Sequence, residues 1–463
     1  MLRYLKNNLS KIVIFLVVAI VFIRNIDVEY WKNENQIIIW DVISYYAYLP
    51  ATFIYHDLTL DFLKNSQLDP EVKFWPRTSP TGKPVIMTSM GLSYLYMPFF
   101  LMSHWYARIF GYNANGYSSP YRFGLIVSCL FFLMLGLIYV RKLLKFFFDE
   151  FTISIVLIIL ALGTNIWYYS TLEPAMPHTY GFALIAIFVY LTYRWHKKPT
   201  YSLSLMLGLS AGLISLIRPT NIVVVMIFLF WNIQYFKDVK ERFILFFQHP
   251  SKISLIIFAA FIVWLPQLLY WKMQTGQYLY YSYGEENKFF WSNPHILKVL
   301  FSYRKGWFVY TPVMLLSIIG LFFIWKDYRK MFLPVFLYLI AHIYIISSWW
   351  CWWWGGSFGM RAMIDTYGIL AVPLALTVNK ALKGRFFIKI PVVLVISFFI
   401  FLNFFNSRQY KIAHIHWDSM TKEAYWAVFL KHKLPDNYID LLEEPDYEKA
   451  RMGIQAAKKV KPE

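Results

Sequence analysis

The fold class this sequence predicts is an all-α protein that crosses a membrane many times. Three observations predict it. The 463 residues are 58% hydrophobic and only 15% charged, too little charge to cover a soluble domain of this length. The apolar residues come in blocks of about twenty, the length a helix needs where every backbone amide must be bonded internally. Short polar stretches, many of them basic, separate the blocks.

Read in order, the blocks predict about eleven spans, at 10–24, 120–140, 151–168, 179–195, 201–217, 220–236, 253–271, 306–325, 331–348, 363–379 and 386–405. The first follows Arg3, Lys6 and Lys11 with no small-residue cleavage site after it, as in an uncleaved signal anchor. Alternate connections carry the cations: Arg141/Lys142/Lys145, Arg194/Lys197/Lys198, Lys237/Lys240/Arg242, Lys326/Arg329/Lys330 and Lys380/Lys383/Arg385/Lys389. The positive-inside rule then puts the N-terminus in the cytoplasm and the C-terminus outside. It also accounts for the net charge of +19, which punctuates spans and forms no nucleic-acid face.

Residues 1–405 thus form a membrane domain with a large first outer loop, 25–119, and 406–463 form an outer tail near charge balance. Two stretches of the loop, 41–55 and 88–110, are apolar and aromatic. If the second crossed the bilayer, every later basic cluster would change sides. Both are therefore expected to be amphipathic helices lying at the interface. Cys129 and Cys351 sit in apolar surroundings and read as buried free thiols.

Span centres are nearly free of ionisable groups, so chemistry is expected at the outer mouths of the helices. Asp41 follows Ile37-Ile38-Ile39-Trp40 and shares a helix face with Tyr45. Desolvation against that aromatic surface would raise its proton affinity, as a general base requires; the plainer role is a helix N-cap. Glu173 and His178 lie five residues apart across two prolines and can face one cavity. With Asp41 they are the candidate ligands of a divalent metal, whose requirement stays open. Arg218 and Arg361 lie at outer helix ends, Arg361 closing Trp352-Trp353-Trp354-Gly355-Gly356-Ser357-Phe358-Gly359-Met360. Guanidinium groups match phosphate oxygens in pairs; the plainer role is snorkelling. Arg304 and Lys305 are weaker phosphate candidates, and His414, His416 and Asp418 read as an ordinary interfacial segment rather than a metal cluster.

An aspartate opening the first outer loop before a Tyr-rich amphipathic helix resembles the GT-C-type membrane glycosyltransferases, including bacterial relatives of the protein O-mannosyltransferases and the lipid A aminoarabinose transferases. Gly82-Lys83-Pro84 resembles that family's Lys-Pro motif, with Val85 where a second proline usually stands. The Trp/Gly/Gly…Gly…Arg361 pattern is similar too. The resemblance implies transfer of a sugar from a polyprenyl-phosphate donor to an acceptor hydroxyl outside the cytoplasm, with inversion. It implies Asp41 as the base, Lys83, Arg218 and Arg361 at the phosphate, Glu173 and His178 at substrate or metal, and a bacterial inner membrane. A flippase or transporter of a lipid-linked sugar and a non-catalytic scaffold are the alternatives.

Overall fold

The computed structural model describes residues 2–64 and 68–460. Its long helices run in the order α1 (Leu2–Val28), α2 (Asp41–Tyr46), α3 (Gly91–Ile109), α4 (Ser119–Leu144), α5 (Glu150–Leu162), α6 (Pro177–Lys197), α7 (Tyr201–Ile217), α8 (Phe236–Gln248), α9 (Pro250–Thr275), α10 (Leu315–Asp327), α11 (Arg329–Ser348), α12 (Tyr367–Lys383) and α13 (Phe386–Lys411). Among the described residues six stretches, beginning at Asn7, Ser119, Pro250, Arg329, Arg361 and Phe386, are long and apolar enough to cross a membrane. The chain is a polytopic, all-helical integral membrane protein.

Eleven unbroken spans are not what forms. The segment at 151–168 stops at Leu162, because Gly163 and Asn165 interrupt the helical run before a short second piece, Ile166–Thr171. Pro312 opens a 3-10 turn, Pro312–Met314, inside the segment expected at 306–325, and the segment expected at 220–236 starts as a second one, Pro219–Val224. Proline lacks the amide that an α-helix interior needs, and tighter i→i+3 turns absorb the break.

The 88–110 stretch is α3, and it is not among the helices long and apolar enough to cross a membrane. Leu92, Leu95, Tyr96, Phe100, Ser103 and Ala107 are buried at helical spacing, while Leu101, Met102 and Trp105 face outward. Its N-terminal Gly91 abuts the backbone of Leu216 and Ile217, the last residues of α7. Tyr96 packs on Tyr180 at the start of α6 (ring centroids 5.3 Å), and His104 Nδ1 meets the Tyr121 hydroxyl at 2.6 Å at the start of α4. Every one of these contacts lies at the end of the bundle that carries Asp41. The opposite end carries the basic connections.

Close helix packing fixes that end relative to the spans. A Cβ on Gly320 of α10 would stand 2.0 Å from the carbonyl oxygen of Pro373 in α12. That atom is backbone and cannot turn aside, so Gly320→Ala must push the helices apart. The expected loss is about 1–3 kcal/mol, read as a lowered thermal unfolding midpoint in detergent; an unchanged midpoint contradicts the packing.

Two small hairpins complete the fold at the Asp41 end. Strands β1 (Pro76–Thr78) and β2 (Pro84–Ile86) pair antiparallel in the first loop, and β3 (Glu443–Pro445) and β4 (Ala457–Lys459) pair in the tail. The tail is stitched down. Trp352 Nε1 donates to Gln455 Oε1 at 2.7 Å, and within the tail Tyr447 donates to the buried Asp418 carboxylate at 2.8 Å. Cys129 and Cys351 are both free and buried.

Candidate active site

After α1 the chain turns through two bulky residues in the left-handed region, Ile37 (φ 67°) and Trp40 (φ 50°). Such backbone is strained for side chains with a Cβ, by about 1–3 kcal/mol each, and persists only where the surroundings enforce it. Here it buries Ile37 and delivers Asp41 as the first residue of α2. Trp40 takes the N-cap position, and no side chain caps the helix. The carboxylate of Asp41 is therefore free of the N-cap role and points elsewhere.

It points into a cavity of about 710 Å³. Arg361 Nη2 donates to Asp41 Oδ2 at 3.1 Å, across 320 residues of sequence. The Arg361 side chain is nearly buried, whereas Asp41 is 44% exposed. Asp41 is thus less desolvated than its aromatic neighbours suggest, and it faces a full positive charge. Arg361 begins a 3-10 turn, Arg361–Thr366. The loop before it brings Gly355 and Gly356 to the cavity wall, with Gly355 at φ 64°, a conformation that side chains rarely adopt.

The burial expected at Asp41 is found at Glu173. This carboxyl lies in the turn between Thr171 and α6, lines the same cavity, and accepts the Tyr168 hydroxyl at 3.1 Å. Burial raises its pKa above the usual 4.5, opposed by the Arg361 charge and assisted by that of Asp41. The folded chain therefore holds this proton to higher pH than the unfolded chain does, so stability falls as pH rises above 4.5. Glu173→Gln removes that dependence. The thermal midpoint of the native chain should drop relative to the variant's as pH is raised from about 4.5; parallel curves would show that Glu173 carries no extra proton.

Two cavity walls were not foreseen from the sequence. Tyr410 and Lys411, which end α13, line it, and so does Trp417 of the tail. Lys411 Nζ sits 5.1 Å from the ring centroid of Tyr30, another wall residue. Behind them Lys305 is buried and donates to the carbonyls of Ser357 and Trp417, tying loop to tail. Burial pushes its pKa down to about 7, against the pull of Asp418. Arg304 does similar work through the carbonyls of Asp418 and Glu443. Neither cation is offered to the cavity. A terminal Tyr-Lys pair on the Asp41 side was the available signal for Lys411.

The other sequence candidates lie elsewhere. Arg218 pairs with the fully buried Asp365 at 2.8 Å, and Asn221 donates to the same oxygen at 2.8 Å. Arg218 also lies 4.7 Å from the ring centroid of Trp354, so it braces the loop that carries Arg361 without lining the cavity. His178 is buried behind Tyr169, ring centroids 5.0 Å apart, and does not face the cavity with Glu173. Lys83 stands in the tight turn of the first hairpin, where Gly82 takes φ 78°, and its Nζ lies 3.4 Å from the carbonyl of Met273. It too is away from the cavity. His416 accepts the Ser419 amide on Nδ1 at 3.1 Å, the ordinary structural role expected of it.

Among the described residues no group of three or more His, Cys, Asp or Glu side chains could hold a metal ion. With His178 turned away, a divalent ion in the cavity would have Asp41 and Glu173 as its only protein ligands from the candidate set, fewer than the three or four of a protein-built site. The residues do not fit a resident metal.

No family model and no curated protein matches this sequence. Solved structures do. An archaeal oligosaccharyltransferase, AglB from Archaeoglobus fulgidus in complex with an inhibitory peptide and a dolichol-phosphate, is 12% identical over 90% of this chain and 56% of its own, with a TM-score of 0.47. The Archaeoglobus fulgidus oligosaccharyltransferase in complex with zinc and sulfate is 14% identical over 86% of this chain and 53% of its own, with a TM-score of 0.49. This chain spans just over half the length of those it is similar to, and at these values the likeness transfers neither residues nor activity.

Proposed function

We propose that this chain is a membrane glycosyltransferase that moves a sugar from a polyprenyl-phosphate carrier to an acceptor hydroxyl, with Asp41 as general base. The observation that carries the reading is the Asp41–Arg361 pair at 3.1 Å inside a cavity of about 710 Å³ at one end of the bundle. A base and a phosphate-matching cation stand side by side in a space large enough for a sugar.

The acceptor hydroxyl gives its proton to the Asp41 carboxylate as its oxygen attacks the anomeric carbon. The bond from that carbon to the phosphate oxygen breaks, and the carrier phosphate leaves with the electron pair. Attack opposite the leaving group inverts the sugar. Arg361 loosens its hold on Asp41 as that carboxylate gains the proton, and its charge turns to the growing negative charge on the phosphate. Lys411, on the same wall, supplies the second cation in place of Lys83 and Arg218. Glu173 is placed to hydrogen-bond the bound sugar, and Tyr30, Trp40 and Trp417 offer aromatic faces to it.

In this reading the Asp41 end faces the periplasm of a bacterial inner membrane, where carrier-linked sugars are consumed. The test is incubation of the purified protein with a panel of polyprenyl-phosphate sugars, following release of carrier phosphate. Release with at least one sugar is expected. Movement of a lipid-linked sugar across liposomes with no release would establish the transporter alternative instead.

A further inference from the structure

α13 leaves the bundle as it approaches the basic end. It buries Ile396, Leu402, Asn403, Asn406, Ser407 and Gln409, and nothing before Ile396. Near the Asp41 end it is pinned: Asn403 Nδ2 donates to the carbonyls of Leu162 at 2.8 Å and Thr164 at 2.9 Å. At that level a Cβ on Gly163 would stand 3.2 Å from the side chain of Ile400. Toward its N-terminus α13 diverges from α5 and α12. The divergence opens an apolar wedge of about 200 Å³, lined by Ile155, Ile159, Val378, Val393 and Ile396, with Lys389 toward the basic end.

Lys383, Arg385 and Lys389 are exposed there, and among the described residues none of the three takes part in an ion pair with a carboxylate. The acidic groups on the neighbouring α5 and α10 are engaged already. Asp149 caps α5 by accepting the Thr152 amide, Glu150 pairs with Arg141 at 2.9 Å and Lys145 at 3.0 Å, and Asp327 pairs with Lys380 at 2.7 Å. An apolar slot within the bilayer that ends at unpaired cations matches one chemistry, a hydrocarbon chain ending in an anionic headgroup.

We propose that this wedge binds an anionic phospholipid of the leaflet at the basic end, one acyl chain lying between α5, α12 and α13 and the phosphate meeting Lys389 and Arg385. The site is separate from the Asp41 cavity and does not depend on the reaction proposed for it. A bound lipid would fill the space that the splayed half of α13 leaves open.

The test uses the full chain in detergent, titrated with phosphatidylglycerol or with phosphatidylcholine of the same acyl chains, and native mass spectrometry to count bound lipid. Phosphatidylglycerol should bind in preference, by about fivefold for each cation engaged. Arg385→Gln with Lys389→Gln should lower phosphatidylglycerol affinity by about 25-fold and leave phosphatidylcholine unchanged. Val393→Trp fills the wedge without touching the charges and should weaken phosphatidylglycerol binding too; if its thermal midpoint shows a damaged fold, Val393→Phe takes its place. Equal binding of the two lipids by the native chain overturns the proposal. So does a preference that survives loss of both cations, or one insensitive to filling the wedge, which would mark a diffuse basic surface.

Discussion

Asp41→Asn should lower sugar-transfer turnover by about 10²–10⁴-fold, the range a positioned general base contributes. The amide keeps the shape of the side chain and one oxygen that can accept from Arg361, so the partners facing each other at 3.1 Å stay in place. What it removes is the ability to take a proton. Carrier-phosphate release from a labelled polyprenyl-phosphate sugar measures the effect, and a binding titration with the same donor measures what is retained. The thermal midpoint should stay close to that of the native chain, because Asp41 neither caps α2 nor is buried. Turnover within a few-fold of the native value would remove Asp41 from the mechanism and leave the cavity as a binding site.

The largest loss of stability is expected deeper in the same region, from Arg218→Leu. Asp365 is fully buried, and its Oδ2 accepts both Arg218 and Asn221 at 2.8 Å. Removing Arg218 strands that carboxylate among helices, at a cost of about 3–5 kcal/mol. Gly181 of α6 shows how closely the carboxylate is enclosed, since a Cβ there would stand 2.4 Å from Asp365 Oδ1. Replacing both partners with apolar residues, Arg218→Leu and Asp365→Leu, should recover much of the loss, because no uncompensated charge remains. Thermal unfolding in detergent separates the cases; a single variant as stable as the native chain would deny the pair its structural role. Asp365 stands in the same short turn as Arg361, so transfer should fall in the single variant as well.

Membrane class, and the end of the bundle where the candidate residues gather, were legible because both follow from averages. Hydropathy over twenty residues marks a span, and cations counted between spans mark a side. Asp41, Glu173 and Arg361 were legible for the same reason, as charged residues at helix mouths on one side. Averages hide single breaks: Gly163 and Pro312 each sit in an apolar run and are invisible to a window, yet each interrupts regular α-helix. They also hide partners. Nothing near Arg218 in sequence announces Asp365, which is 147 residues away, so a free guanidinium and a locked one look alike. His178 failed differently, since one residue's shift of helical phase decides whether a ring faces a cavity or Tyr169. Trp417 and Lys411 were missed because a tail beyond the last span has no periodicity to say what it covers.

The cavity draws its walls from nearly the whole length of the chain, from Tyr30 to Trp417. A ribosome adding 5–20 residues per second needs about 20–75 s to travel from the first of these to the last. During that interval the Asp41 carboxylate has no counter-ion until Arg361 emerges. The newly inserted chain thus has no complete cavity until translation nears the tail.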